Sequence, residues 1–249
     1  MSEYTLHHGD CLDILPTLAP GSVDAVICDP PYGTTACKWD SVIPFEPMWA
    51  GIKRVLKPRG ACVLFGSQPF TSALVMSNPA QYSHSWVWKK SRASGFLDAN
   101  RKPLKIHEDV IVFASGYTTY NPQKEPCARR FKAPGGNAAQ YNGGFERRPL
   151  RAYDDRFPTS VLSVDSHAAA ATDHPTQKPL ALLEYLVKTY TNAGDTVLDF
   201  AFGSGTTGAA CGNLSRRFIG IERDETYFKL AAERIATAYA PLRLMEVAV

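Results

Sequence analysis

The run Val23-Asp-Ala-Val-Ile-Cys28 is apolar at every position but one, and it stops abruptly at Asp29-Pro30-Pro31-Tyr32. A strand with one wet face alternates apolar and polar residues. A near-continuous apolar run needs cover on both faces, the environment of a strand in a parallel sheet between two helix layers. Similar short strands are expected at Tyr4 to His8, Ala61 to Phe65, Trp86 to Trp88, Asp109 to Phe113, Thr196 to Asp199 and Phe218 to Glu222. Helical periods separate them at Cys11 to Leu18, Glu46 to Leu56, Leu180 to Tyr190, about Thr206 to Leu214 and about Glu225 to Tyr239. Strands alternating with helices predict an α/β fold with a doubly wound, mostly parallel sheet.

From about Ser115 to Ala171 the pattern changes. Gly, Pro, Asn, Arg and Tyr dominate, with Pro134-Gly-Gly-Asn137 and Asn142-Gly-Gly144, and no sustained period appears. That stretch reads as a small irregular insert rather than more sheet. The expected division is therefore 1–114, 115–171 and 172–249, a reasonable partition for 249 residues.

Charge follows the same division. Lys89 to Arg151 holds thirteen basic and five acidic residues, a net +8, which leaves the remainder of a +3 chain at −5. A basic segment on a neutral-to-acidic body is the footprint of a polyanion-binding insert. Hydrophobic residues at 45% and charged residues at 20% fit a globular protein. No apolar run approaches the ~18 to 20 residues of a membrane span, and Met1-Ser-Glu-Tyr-Thr lacks the basic and apolar regions of a secretory signal. The six cysteines (Cys11, Cys28, Cys37, Cys62, Cys127, Cys211) are never spaced CxxC. A structural zinc site and a disulfide framework are not expected, and a reducing, cytoplasmic setting is.

In such sheets ligands bind outside the carboxyl ends of the strands, and two of those ends carry unusual residues. After Val197-Leu-Asp199 comes Phe-Ala-Phe-Gly203-Ser-Gly205-Thr-Thr-Gly208, glycines placed for a tight turn into a helix N-terminus that favours an anionic group. Glu222 ends the next strand, where a carboxylate can accept both ribose hydroxyls. Gly203 to Gly208 also satisfies G-x-G-x-x-G with an acid roughly 20 residues on, so an NAD-dependent dehydrogenase is an open reading. The second end is Asp29-Pro30-Pro31-Tyr32. Two prolines remove N–H donors and leave carbonyls, Asp29 adds an acceptor, and Tyr32 adds a flat ring. Several acceptors beside a stacking face suit a planar ligand bearing an –NH₂ group, such as adenine or cytosine.

At these residues the chain resembles the S-adenosylmethionine-dependent DNA amino-methyltransferases, which act on adenine N6 or cytosine N4. Asp29-Pro-Pro-Tyr32 is similar to their catalytic motif, Asp199 to Thr206 to their cofactor loop, and His174-Pro-Thr-Gln-Lys-Pro179 to the segment before it. Gly9-Asp10 is similar as well. The order, with the catalytic motif first, a basic module next and the cofactor loop last, is that of the permuted β class. The resemblance implies a class I Rossmann-like methyltransferase fold, circularly permuted. It implies catalysis by Asp29, Pro30, Pro31 and Tyr32, and S-adenosyl-L-methionine bound by Asp10, Cys11, Lys178, Asp199, Phe200, Phe202, Gly203, Ser204, Gly205, Thr206 and Glu222. Asp10 would meet the cofactor's adenine, Glu222 its ribose and Lys178 its amino-acid end. One departure stands out: the family's usual Phe two residues before the first glycine is Ala201 here, flanked by Phe200 and Phe202.

Double-stranded DNA is the implied partner, with Ser115 to Ala171 as the target-recognition region and Lys89, Arg129, Arg130, Arg147 and Arg148 as contacts to phosphate or base. The expected chemistry extrudes the target base, which cannot reach the cofactor while stacked, stacks it on Tyr32, and directs its two amine hydrogens to Asp29 and the Pro30 carbonyl. Asp at the head of the motif leans to adenine, Ser being commoner for cytosine. Protein glutamine methyltransferases carry Asn first and the cofactor loop earlier, and disagree on both. A non-catalytic DNA-binding module is the remaining reading. No metal and no membrane partner is expected, and a homodimer is left open. Trp86 and Trp88 read as core, and His107-Glu108 is discounted as an acid/base pair because neighbours on a strand face opposite ways.

Overall fold

In the computed structural model, residues 3–34, 40–131, 152–165 and 177–247 are described. The chain runs β1 (Tyr4–His8), α1 (Cys11–Ile14), β2 (Val23–Cys28), α2 (Phe45–Val55), β3 (Leu56–Gly66), α3 (Phe70–Ser77), β4 (Tyr82–Ser94), β5 (Lys105–Phe113), β6 (Glu125–Phe131), β7 (Ala152–Arg156), β8 (Val161–Ser163), α4 (Leu180–Tyr190), β9 (Thr196–Asp199), α5 (Thr206–Asn213), β10 (Arg217–Glu222) and α6 (Glu225–Val247). Eight strands form one sheet in the order β1-β10-β9-β2-β3-β5-β4-β8. All its pairings are parallel except β3 with β5 and β5 with β4. The α/β, doubly wound and mostly parallel class read from the sequence is the observed one.

The apolar run of β2 has the cause the sequence suggested. Ala25 and Ile27 point into a cluster with Leu182, Leu186 and Val187 of α4, Ala210 of α5 and Ile235 of α6. Val23, Val26 and Cys28 point the other way, into a cluster with Met48, Trp49 and Ile52 of α2 and Leu74 of α3. Both faces are dry, so both residue parities are apolar. Trp86 and Trp88 are buried in the first cluster, and the Trp86 indole N–H donates to Tyr190 Oη at 2.7 Å.

Several elements differ from the sequence expectation. The helix after Asp10 is a single α-turn followed by a 3-10 turn at Leu15–Thr17, because Pro16 has no N–H to continue it. α3 carries no polar stripe and was not expected. β4 and β5 run well beyond Trp88 and Asp109. The stretch read as irregular holds β6 and β7, an antiparallel pair, and also β8, which pairs in parallel with β4 in the main sheet. The chain divides into a compact unit of Met1–Asn121 with Ser160–Val249 and a second unit of Pro122–Thr159.

Candidate active site

β2 and β9 lie side by side in parallel, with Ala25 opposite Val197 and Val26 opposite Leu198. From there the sheet grows in opposite directions, to β3 on one side and to β10 on the other. This is a topological switch point, and the loops after its two strands diverge to leave a crevice. The cleft there is lined by Asp10, Asp29, Lys178, Asp199, Gly203 and Glu222 among others. Asp29 and Gly203, 174 residues apart in sequence, therefore line one cleft.

Asp29 is the first residue past β2. Tyr32 Oη donates to its Oδ1 at 2.5 Å, and Lys178 Nζ donates to its Oδ2. Lys178 Nζ also lies 3.3 Å from Glu108 Oε2, and Lys90 Nζ donates to Glu108 Oε1. The four groups alternate in sign: Asp29, Lys178, Glu108, Lys90. Lys178 is buried, and burial alone favours its neutral amine. The two carboxylates outweigh that and hold its pKa above the ordinary lysine value. For Glu108, burial disfavours the carboxylate, but Lys178 and Lys90 outweigh it and lower the pKa. Burial, then the Asp29 and Glu108 charges, push the Tyr32 phenol up, so it stays a donor. One face of the Tyr32 ring is stacked on Phe70, with centroids 5.1 Å apart. Gly33, at φ +68°, and Thr34 then donate their N–H groups to Asp40 at 2.8 and 2.9 Å, which pins the far side of the loop.

On the other wall, Gly203 and Gly205 adopt φ of +48° and +74°. A Cβ on Gly205 would sit 2.8 Å from that of Ala231, so glycine is required there on both counts. Gly203 N donates to Glu222 Oε2 at 2.9 Å and Asp224 N to Oε1 at 2.8 Å; each oxygen keeps a lone pair for a ligand hydroxyl. Arg234 Nη1 donates to Ser204 O and Thr206 Oγ1. Asp10 caps α1 through Leu12 N and lines the cleft. Burial, with Asp10 beside it, raises the Cys11 thiol to about 12, so it is inert. Burial raises the Asp199 carboxyl to about 7, against the lowering hydrogen bonds from Thr207, Cys28 and Ala201.

The candidate residues therefore gather, with differences. Lys178 lies on the Asp29 side of the cleft with its ammonium on that carboxylate. Phe200 and Phe202 line the cleft, but both rings are core, Phe202 against Phe228 with centroids 5.9 Å apart. Tyr227 of α6 and Phe65 of β3, not singled out in the sequence, line it too. Glu108 was discounted and belongs to the site. Its signal was available, since it shares strand parity with Val110 and Val112, both buried. A carboxylate at an inward position of an apolar strand needs a cation. Lys89 is exposed on β4. Arg129 and Arg130 lie on β6 with their side chains outside the described set, and Arg147, Arg148 and His174 lie outside the described residues.

A doubly wound sheet with a proline-flanked acceptor and a glycine turn at its switch point defines a class I methyltransferase architecture. The profile of the N6/N4 DNA methylase family matches residues 23–233; the chain belongs to that family. M.HpaI, a Type II methyltransferase of Haemophilus parainfluenzae, is 28% identical over 244 residues, 92% of this chain and 73% of that protein. M1.HpyAVI, solved as its SAM complex, superposes with a TM-score of 0.64 at 27% identity, over 93% of this chain and 99% of that one. The cytosine-N4-specific PvuII DNA methyltransferase gives 0.68 at 16% identity, over 96% and 92%, a likeness of fold alone. Membership of this family displaces the dehydrogenase reading of Gly203 to Gly208. Among the described residues, no helix is long and apolar enough to cross a membrane.

Two outcomes follow from these charges. Glu108→Gln removes one of the two anions holding Lys178, and turnover should fall by about tenfold with cofactor affinity within about twofold of the parent, measured by labelled methyl transfer and calorimetry. For Asp199 the folded-state pKa is raised, so the unfolded chain gives up its proton first and stability is lost as pH rises from 3.8 to about 7. The stability of Asp199→Asn relative to the parent should therefore increase across that window and level off above it in denaturant titrations.

Proposed function

We propose that this protein transfers a methyl group from S-adenosyl-L-methionine to the N6 amine of adenine within double-stranded DNA. The observation that carries the reading is Asp29 at the end of β2, in one cleft with the glycine turn after β9. S-adenosylmethionine supplies a methyl group activated by a sulfonium. Glu222 and Asp10 would hold the nucleoside by hydroxyls and ring nitrogens, and Gly203 and Gly205 let the backbone approach it.

The adenine amine is a poor nucleophile because its lone pair is delocalised into the ring. Asp29 is built to localise it. Lys178 fixes Oδ2, which leaves Oδ1 as the acceptor for an amine hydrogen in exchange for the Tyr32 hydroxyl. The Tyr32 phenol would give way as the extruded base enters and would offer the ring face not covered by Phe70. With one N–H bound to Oδ1 and the other to the Pro30 carbonyl, the nitrogen lone pair points along the line of transfer. A nitrogen–carbon bond forms, the sulfur–carbon bond breaks, and the nitrogen sheds one proton to Asp29 or water. Positioning and acceptors aimed at developing charge provide the acceleration. The 115–171 segment and Lys89 would supply phosphate contacts and base reading, so binding should weaken steeply with salt.

The family also includes cytosine-N4 enzymes, and the same geometry serves that amine; Asp rather than Ser before Pro30 favours adenine. Hydrolysed DNA from cells expressing the protein should contain N6-methyl-2′-deoxyadenosine by liquid chromatography, and single-molecule sequencing of the same DNA should map its recognition sequence. Asp29→Ala should abolish the modification, by about a hundredfold or more, while leaving S-adenosylmethionine binding intact. N4-methyl-2′-deoxycytidine in place of N6-methyl-2′-deoxyadenosine would establish the second reading, and an active Asp29→Ala protein would refute the mechanism.

A further inference from the structure

The β4–β5 hairpin leaves the sheet at the catalytic edge. Cys28 is level with Leu64 in the β2–β3 register, Gly66 with Asp109 across β3–β5, and Val87 with Asp109 across β4–β5. Trp88 and Lys89 are still in the sheet, paired with Leu162 and Ser163 of β8; residues beyond them, Lys90 to Ile106, continue past the edge at which Asp29 sits. After Lys89 opposite His107 the register breaks, five steps along β4 set against two along β5, and pairing resumes at Ser94 opposite Lys105; the span of β5 from Asp109 to Lys105 gives the arm a reach of about 13 Å. The base of this arm is tied into the catalytic cluster, by Lys90 on Glu108 and by Lys105 on Ser67.

Its tip is a built turn. Gly95 turns at φ +91°, and Asp98 N, Ala99 N and Arg101 N close on Gly95, Phe96 and Asp98 carbonyls at 3.1, 3.2 and 2.8 Å. That turn presents Phe96, 68% exposed, beside Leu97, fully exposed. Two large apolar side chains at the end of an arm cost solubility and contribute nothing to the core. The flanks are cationic: residues 89–105 carry six basic groups against Asp98 alone, and Lys102 satisfies Asp98 at 3.0 Å. Lys89, Arg92 and Arg101 are exposed along the arm. An apolar point between cations matches a nucleic-acid duplex, with phosphates on the outside and an apolar base stack within.

We propose that Phe96 and Leu97 form a wedge that enters the base stack beside the target and occupies the gap left by the extruded base, the arm's cations resting on the flanking phosphates. The proposal rests on the DNA-methylating reading above. Extrusion costs the stacking and pairing of the target base; filling the vacated space lowers that cost while Asp29 holds the base at the arm's root. These are positioning residues, not catalytic ones.

The test is labelled methyl transfer by the intact protein and by a Phe96→Ala/Leu97→Ala variant on two duplexes carrying the mapped recognition sequence. One is fully paired; the other has an abasic site opposite the target base, so that pairing is absent and a gap exists already. On the paired duplex the variant should lose about tenfold or more in turnover, and on the abasic duplex it should stay within about twofold of the parent. Leu97→Met should retain activity on both. Equal losses on the two duplexes, or no loss on either, overturn the wedge, whereas a parent protein that methylates neither duplex refutes the DNA-methylating reading itself.

Discussion

Everything functional in this molecule depends on the pairing of β2 with β9. The contact is small, Ala25 with Val197 and Val26 with Leu198, yet it joins segments from opposite ends of the chain. Because the strands are parallel, their carboxyl ends emerge together; because the sheet turns opposite ways from that seam, the loops part and leave a cleft. Helices on both faces bury the seam. The placement of Asp29 against the glycine turn is thus a consequence of sheet topology.

Within the cleft, alternating charge does what topology cannot. A carboxylate at the end of a buried strand would be free to rotate. Lys178, held between Asp29 and Glu108 and too buried to find water, fixes one oxygen and leaves the other for a partner that can be exchanged. Tyr32 fills that place in the absence of a base. The cluster joins the end of β2, the middle of β4 and β5 and the segment leading into α4, so the acid, its cation and the root of the β4–β5 arm are tied together.

The legible parts of the sequence were those whose residue types have few other uses. Asp-Pro-Pro-Tyr after an apolar run and Gly-x-Gly into a helix announce backbone and ligand demands that ordinary loops do not make. Glu108 was passed over because sequence adjacency to His107 drew attention from its parity with Val110 and Val112. The partnership of Lys178 with Asp29 is not in any local pattern, since it depends on which strand ends the sheet brings together. α3 escaped notice because it is apolar nearly all round and lacks the stripe by which amphipathic helices are read. The reach of β4 and β5 was hidden because their outer halves leave the core, and with it the apolar signature of a strand.

The central claim is that one cleft holds a nucleobase at Asp29 and a sulfonium donor at the glycine turn. A crystal structure of the protein with a cognate duplex and a non-transferable cofactor analogue tests it directly. The account predicts an extruded adenine with its amine within hydrogen-bond distance of Asp29 Oδ1, Tyr32 moved off that oxygen, and the analogue's nucleoside against Glu222. An analogue bound away from Glu222, or a target base still stacked in the duplex with Tyr32 on Asp29, would contradict it.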